Sequence, residues 1–179
     1  DVALALDPAA SEMEKAYREL CKQPIAKGMY LFWRDKAYRV MSRDELLALY
    51  RQTIEVDDIP IVSIEDGFGE DPEGWASMMK TLGDKLFIIG DDPVTTKDSS
   101  IEYAAENNLI NTFLCKANQI GTLYETLLAI LVAFGHNLEI VVSHRSKSPN
   151  DDMEAQIALA AFSMGIKAGG GANTERLYK

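Results

Sequence analysis

The sequence predicts an α/β fold, a (β/α)8-type barrel of parallel strands that is incomplete in this chain. Apolar runs such as IPIVSIEDGF (59–68) lack polar alternation, which is typical of strands covered on both faces of a sheet. Helix-like segments separate these runs at a nearly constant interval, 26 positions from Glu65 to Asp91 and 25 from Asp91 to Lys116. Right-handed helical crossovers between parallel strands account for such regularity.

The strand-like runs each deliver a charged or polar side chain at or near their C-terminal end. In chain order they are VALALD with Asp7, IPIVSIE with Glu65, KLFIIGDD with Asp91, TFLCKAN with Lys116, EIVVSHRS with His144, Arg145 and Ser146, and GIKAG with Lys167. The predicted helices between them are LLALY after a capping box of Ser42 and Glu45, then EGWASMMKTLG, SSIEYAAENN, GTLYETLLAILVAF and DDMEAQIALAAF. The longer interval from Asp7 to Glu65 has room for one more strand, GMYLFW, and a helix.

Two architectures fit this alternation, an open doubly wound sheet and a barrel. An open sheet binds its ligand at one switch point, commonly beside a glycine-rich turn, and no G-x-G-x-x-G occurs here. In a barrel the C-terminal ends of many strands face one mouth, which matches polar groups on every strand end. A complete barrel needs roughly 250 residues. The 179 residues therefore predict part of a barrel whose remainder belongs to the parent protein.

Composition and charge limit the class of protein and its partners. The chain is 47% hydrophobic and 26% charged, which is typical of a soluble globular domain. Its net charge of −10 argues against nucleic acid and anionic membrane partners, and no apolar run reaches spanning length. The two cysteines, Cys21 and Cys115, are predicted to be reduced, largely buried thiols of a cytosolic protein.

Acidic and basic strand ends together predict metal-assisted chemistry. Asp7, Glu65 and Asp91, directed toward one mouth, repel one another unless they are protonated or a cation bridges them. Carboxylate oxygens favour a hard ion such as Mg²⁺. Lys116 and Lys167 come from later strands. A lysine beside a bound dication is favoured in its neutral form and can act as a general base.

The group His144, Arg145 and Ser146 offers hydrogen-bond donors for a phosphate or a carboxylate. Combined with the predicted cation and base, it suggests proton abstraction next to a carboxylate on a phosphorylated substrate.

Six stretches of the chain resemble the C-terminal barrel domain of enolases, in order and spacing and over nearly the whole length. They are LALDPAASE, VSIEDGF, IIGDDPVTT, CKANQIGTLYET, VVSHRS and IKAGGGANTERL. KANQIGT together with SHRS is highly specific, whereas SIED or GDD alone is weak. Sites of the enolase superfamily use a Lys or His base with one or two Mg²⁺ ions, which is established for the superfamily and not deduced from this sequence.

The resemblance implies roles for the acids and the lysines. Asp7, Glu65 and Asp91 would be ligands of Mg²⁺. Lys116 would remove the C2 proton of 2-phosphoglycerate, and Lys167 would contact the substrate carboxylate and stabilise the enolate.

It also implies that His144 lies beside the substrate and that Arg145 and Ser146 bind its phosphate. Dehydration to phosphoenolpyruvate would make the protein a phosphopyruvate hydratase, a cytoplasmic lyase of glycolysis with a small phosphorylated substrate.

By the same resemblance, residues 1–179 form a C-terminal barrel domain, and the N-terminal domain and first part of the barrel lie outside them. The part of the protein outside residues 1–179 would hold the general-acid glutamates of the family and the homodimer interface. The alternative is a catalytically weak or inactive structural component of a larger assembly, in a cilium or flagellum.

Three departures from the family pattern predict a divergent branch and motivate that alternative. Gly67 replaces the proline that generally follows SIED, which predicts a more flexible strand exit. Residues 147–151 (KSPND) replace Gly-Glu-Thr-Glu-Asp, and residues 169–173 (GGGAN) replace a Gly-Ala-Pro segment.

The remaining conspicuous residues are given structural interpretations. His136 is predicted to cap a helix end or lie on the surface, and Trp33 and Trp75 to be packing residues. The acids of GFGEDPEG (67–74) are predicted to form a solvated loop and a helix start.

Overall fold

The computed structural model describes residues 2–22, 27–34, 37–145 and 151–169. The chain divides into two compact units, residues 1–93 with 108–110 and residues 94–107 with 111–179. Parallel strands joined by helices occur in each unit, as the sequence predicts.

The first unit contains three parallel strands and an antiparallel hairpin. Its described elements are β1 (Leu4–Leu6), α1 (Ala10–Cys21), β2 (Met29–Arg34), β3 (Ala37–Ser42), α2 (Arg43–Arg51), a π-helical turn (Gln52–Val56), β4 (Ile61–Glu65), α3 (Pro72–Leu82) and β5 (Phe87–Gly90). β4 pairs in parallel with β1 on one side and with β5 on the other. The capping box predicted at the start of α2 is confirmed, because the Ser42 hydroxyl accepts from the Glu45 N–H and the Glu45 carboxylate accepts from the Ser42 N–H.

The segment between Asp7 and Glu65 contains more secondary-structure elements than the sequence predicted. GMYLFW does form a strand, β2, but it pairs antiparallel with β3, a strand that was not predicted. The interval also holds α1, α2 and a short π-helix, Gln52–Val56. In β3 only Met41 is buried, and α1 buries only Ala10, Met13 and Glu14. A strand that buries a single residue carries a weak hydrophobic pattern, which is why β3 was missed.

Aromatic side chains form the centre of the first unit. The Phe68 ring lies edge-to-face against Tyr30 and Tyr50, with ring centroids 5.8 and 6.0 Å away. Trp75 is 1% exposed, which confirms its predicted packing role. The same prediction for Trp33 is wrong: Trp33 is 57% exposed and lies opposite Tyr38, itself 70% exposed, because this end of the hairpin faces solvent.

A partly buried ion pair joins the first residue of α2 to the residue that precedes α3. Asp71 was predicted to lie in a solvated loop, but its side chain is 2% exposed and is bound bidentately by Arg43, with Nε–Oδ2 at 2.5 Å and Nη2–Oδ1 at 2.7 Å. Arg43 also contacts the exposed Glu73. Hydrogen bonding to Asp71 raises the pKa of Arg43, so the guanidinium stays charged. The prediction of a solvated loop holds for Glu70 and Glu73 and is wrong for Asp71.

The second unit repeats the strand–helix alternation with parallel pairing throughout. Its described elements are α4 (Asp98–Glu106), β6 (Thr112–Cys115), α5 (Ala117–Ile120), α6 (Leu123–Gly135), β7 (Glu139–Ser143), α7 (Met153–Ala160) and β8 (Gly165–Lys167). β7 pairs in parallel with β6 and with β8. β6 is buried at all four positions, as an uninterrupted apolar strand should be.

Helix ends in this unit follow local sequence signals. Thr122 is the N-cap of α6, and its hydroxyl accepts a hydrogen bond from the Glu125 N–H at 3.1 Å. His136 follows the last residue of α6, and its N–H donates to the carbonyls of Val132 and Ala133, which confirms a helix-end role. Of the helices in the described residues, none combines the length and hydropathy needed to span a membrane.

The predicted burial is correct for one cysteine of the two, and both are free thiols. Cys115 is buried in β6, and burial raises the pKa of its thiol to about 12. Cys21, at the end of α1, is exposed because this helix turns mainly charged residues outward.

Candidate active site

The three predicted metal ligands lie at one edge of the first unit. Glu65 is the last residue of β4, while Asp7 and Asp91 directly follow β1 and β5. The parallel registers align Leu6 with Ile64 and Glu65 with Ile89, so the carboxyl ends of the three strands share that edge. Glu65 and Asp91 are buried, whereas Asp7 is exposed and its Oδ1 accepts a hydrogen bond from the Ala9 N–H at 3.2 Å.

Among the described residues, one group of three acids is close enough to share a metal ion, and it contains one of these ligands and two other acids. Oxygen atoms of Asp66, Asp91 and Asp92 all lie within 4.8 Å of one another. Asp7 and Glu65 are not part of this cluster. Asp66 and Asp92 were not predicted as site residues, although each directly follows a predicted ligand in the sequence. The sequence signal that could have identified them is the pair of consecutive acids in IED and in GDD.

Asp66 ties the ends of β4 and β5 together. Its Oδ1 accepts hydrogen bonds from the backbone N–H groups of Asp91 and Asp92, both at 3.2 Å. Burial, followed by repulsion from Asp92 and Asp91, raises the pKa of Asp66 to about 8, although the two N–H groups oppose the shift. Carboxylates held this close, two buried and the third, Asp92, exposed, are compatible with a hard divalent cation, because such an ion offsets their repulsion and prefers oxygen donors.

The loop after β4, residues 66–70, is held in place by hydrogen bonds from neighbouring helices. Its hydrogen bonds run from Ala10 N–H to Asp66 O at 3.0 Å, Tyr50 Oη to Gly67 O at 2.9 Å, Trp75 Nε1 to Gly69 O at 3.0 Å, and Glu70 N–H to Glu14 Oε2 at 2.9 Å. Burial raises the pKa of Tyr50, which keeps its hydroxyl a donor. Three helices, α1, α2 and α3, therefore hold the backbone that follows Glu65.

Gly67 does not make this loop flexible as the sequence suggested. The residue is buried, its carbonyl is bound by Tyr50, and its φ lies outside the left-handed region. A Cβ added at Gly67 would lie 2.9 Å from both Ile64 Cγ2 and Met78 Sδ. The glycine is needed for close packing between the strand exit and α3.

Replacing Gly67 with alanine is therefore expected to destabilise the protein by about 1–3 kcal/mol, the usual effect of overpacking a core. Urea unfolding of the purified protein measures this change. Gly135→Ala is the matched control, because a Cβ at that exposed helical position meets nothing within 4 Å. It should be neutral or stabilise by up to about 1 kcal/mol. Equal free energies of unfolding for Gly67→Ala and the wild type would contradict the packing argument.

The predicted basic and anion-binding groups lie at one edge of the second unit. Lys116 follows β6, His144 and Arg145 follow β7, and Lys167 ends β8. Ser143 is aligned with Lys167, and the His144 N–H donates to the Lys167 carbonyl at 3.0 Å. Since the three strands are parallel, these side chains begin from the same edge.

Some predicted features fall on parts of the chain that the structure does not describe. Ser146 lies outside the described residues, as do residues 147–150 and 170–173 of the divergent stretches. Gly169, the first residue of the second stretch, is described, and a Cβ there would lie 3.2 Å from His144 Cε1. A glycine at this position leaves room for the imidazole.

Parallel strands that all present polar side chains at their carboxyl ends are the organisation of a (β/α)-barrel, whose sites lie at that face. Residues 1–179 match the family described as "Enolase, C-terminal TIM barrel domain". The chain belongs to the enolase family. This confirms the predicted fold class, α/β with a (β/α)8-type barrel of the enolase kind, of which this chain carries part.

Curated relatives give the same assignment. The chain is 37% identical over 180 residues to the enolase of Helicobacter pylori, and 39% identical over 184 residues to the enolase of Anaplasma marginale. The enolase of Helicobacter acinonychis is 36% identical over 180 residues. Each match covers 100% of this chain but only 38–39% of the relative. The chain thus spans about two fifths of the length of these enolases.

Proposed function

We propose that the protein carrying this chain is an enolase-type lyase, a phosphopyruvate hydratase that dehydrates 2-phosphoglycerate to phosphoenolpyruvate with Mg²⁺. One observation carries the proposal. In a chain of the enolase family, acids stand at the carboxyl ends of β1, β4 and β5, and lysines follow β6 and end β8.

Asp7, Glu65 and Asp91 would hold the Mg²⁺ ion, since all three offer carboxylate oxygens from one edge. Asp66 has a different part, because its carboxylate is engaged by the N–H groups of Asp91 and Asp92 and orients the backbone that carries Asp91. When bound, Mg²⁺ supplies electrostatic stabilisation of the negative charge that develops on the substrate carboxylate.

Lys116 serves as the general base. Its neutral Nζ takes the proton from C2 of 2-phosphoglycerate, and the electron pair of the broken C–H bond moves into the adjacent carboxylate. Lys167 lies beside that carboxylate and stabilises its growing charge through its ammonium group. Loss of the C3 hydroxide then forms the double bond and requires a general acid, which by resemblance comes from glutamates outside this chain.

The substrate phosphate is bound by Arg145 and Ser146, with His144 beside the substrate. A guanidinium suits this role because its N–H groups match two phosphate oxygens at once. Arg145 is exposed two residues after the end of β7.

The other expectations stay predictions. They are a homodimer formed through the part of the protein outside this chain, and a cytoplasmic location. No observation on the described residues or in the similarities supports the structural alternative, a component of a ciliary or flagellar assembly. Absence of turnover in the test below would favour that alternative.

The test is Mg²⁺-dependent formation of phosphoenolpyruvate by the full-length protein. Chelation by EDTA should abolish turnover and added Mg²⁺ should restore it. Asp91→Asn should raise the Mg²⁺ concentration for half-maximal rate by at least about tenfold. Even mutations of residues that only support the ligands of a metal commonly lower metal affinity by about 10- to 100-fold.

Asp84→Asn, at an exposed acid of the same unit, should leave the Mg²⁺ dependence unchanged. Turnover that persists after complete chelation would contradict the role of the metal. No turnover by folded protein at saturating Mg²⁺ would overturn the enzyme proposal and favour a structural role.

A further inference from the structure

Two consecutive threonines after β5 have unusual backbone conformations. Thr95 and Thr96 have φ values of 46° and 59°, in the left-handed region. β-Branched residues rarely adopt this conformation, because their side chains clash with the backbone. Such strain persists only where surrounding contacts enforce it, and it is concentrated at functional sites. The contacts of these threonines therefore matter.

The two side chains have opposite surroundings. Thr95 is exposed, whereas Thr96 is 0% exposed. The Thr96 Oγ1 accepts a hydrogen bond from the Lys116 N–H at 3.0 Å and donates one to Gln119 Oε1 at 3.1 Å. The Gln119 N–H in turn donates to the Lys116 carbonyl at 2.8 Å. Thr96, Lys116 and Gln119 thus form a closed hydrogen-bonded ring within the second unit.

This ring acts at the point where Lys116 leaves the sheet. The pairing of β6 with β7 ends at Cys115, one residue before Lys116, and α5 begins one residue after it. The backbone of Lys116 has φ −122° and ψ 91°, so it is neither helical nor held by the ladder to β7. The Thr96 hydroxyl holds the Lys116 N–H and thereby sets the direction in which the lysine side chain leaves the backbone.

We propose that Thr96 is a positioning residue for the general base Lys116, held in a strained conformation so that its hydroxyl can bind the Lys116 backbone and Gln119. The inference rests on the proposed function of Lys116. Proton transfer from C2 requires the base within hydrogen-bond reach of the proton, and a displacement of about 1 Å can lower a rate by roughly 10²-fold. A positioning residue should therefore affect turnover more than substrate binding.

The decisive variant is Thr96→Val, which keeps the branched shape and removes the hydroxyl. In the full-length protein we expect a roughly 10- to 50-fold lower kcat, with KM changed by less than about twofold. Exchange of the C2 hydrogen of 2-phosphoglycerate with solvent deuterium should slow by the same factor. Thr96→Ser retains the hydroxyl and should restore kcat to within about threefold of the wild type.

Thr95→Val is the matched control, because it makes the same change at an exposed residue with the same backbone conformation. It should leave kcat and C2 exchange unchanged. A wild-type kcat in Thr96→Val, or an equal loss in Thr95→Val, would overturn the proposal. A loss in Thr96→Val that Thr96→Ser fails to restore would overturn it as well, because the hydroxyl would then not be responsible.

A second readout separates this inference from the proposed function. If the wild type neither forms phosphoenolpyruvate nor exchanges the C2 hydrogen, the proposed function fails, and hydrogen–deuterium exchange of the Lys116 amide then decides the inference. Faster exchange at Lys116 in Thr96→Val, with unchanged protection in α6 and no effect of Thr95→Val, would support positioning. Unchanged protection at Lys116 would overturn it.

Discussion

Replacing Lys116 with alanine is expected to lower kcat for phosphoenolpyruvate formation by roughly 10²- to 10⁴-fold, the range that general acid–base catalysis contributes. The reason is that alanine has no group to accept the C2 proton, so the first bond-breaking step loses its base. Solvent exchange of the C2 hydrogen should fall by the same factor, because it reports that step without dehydration. Both rates are measured with the full-length protein at saturating Mg²⁺.

Lys116→Arg distinguishes a base from a positive charge. Arginine keeps the charge but does not deprotonate in proteins, so this variant should be as slow as Lys116→Ala. Lys80→Ala, at an exposed lysine of α3, should retain wild-type rates. If Lys116→Arg retains most of the C2 exchange, then Lys116 acts through its charge and another group removes the proton.

The second large effect is on stability. Arg43→Met should lower the free energy of unfolding by about 3 kcal/mol, the lower end of what is lost when one partner of a buried ion pair is removed. Asp71 would remain 2% exposed, and its other hydrogen bond in the structure, from Tyr30 Oη, is long at 3.4 Å. An uncompensated buried carboxylate is the physical cause. Chemical denaturation with fitted midpoints and slopes measures the change.

Two further variants make this prediction specific. Arg39→Met breaks an exposed pair with Glu45, whose side chains are 65% and 49% exposed, and should change stability by less than about 1 kcal/mol. The double variant Arg43→Met with Asp71→Asn should recover part of the loss, since it removes the stranded charge. If Arg43→Met and Arg39→Met have equally small effects, Asp71 is not buried in solution as described.

Local pattern was enough for most of the fold. β4, β5, β6 and β7 were predicted from continuous apolar runs, and α3, α4, α6 and α7 from the segments between them. These signals lie within a few neighbouring residues, as do the capping box of Ser42 and Glu45 and the helix end at His136. The hairpin of β2 and β3 was only half predicted, because its second strand buries a single residue and so shows little apolar pattern.

The candidate site was predictable at the level of strand ends. Placing Asp7, Glu65 and Asp91 at the carboxyl ends of strands in the first unit, and Lys116, His144 and Lys167 at those in the second, required only that strands separated by helices be parallel. The roles of these residues came from the resemblance to enolases. Nothing in the apolar pattern distinguished Asp66 from an ordinary loop acid, although its carboxylate links two strand ends.

By itself, then, the sequence determined the family, the βα order and the residues that end each strand, because periodicity and motif are properties of neighbouring positions. Only the tertiary structure showed that Asp71 is a buried partner of Arg43, that Gly67 packs closely against Ile64 and Met78, and that Thr96 holds the backbone of Lys116. Each of these contacts joins residues from different elements, 28 positions apart for Arg43 and Asp71 and 20 for Thr96 and Lys116. Contacts of this kind arise when the chain folds back on itself, and no local periodicity encodes them.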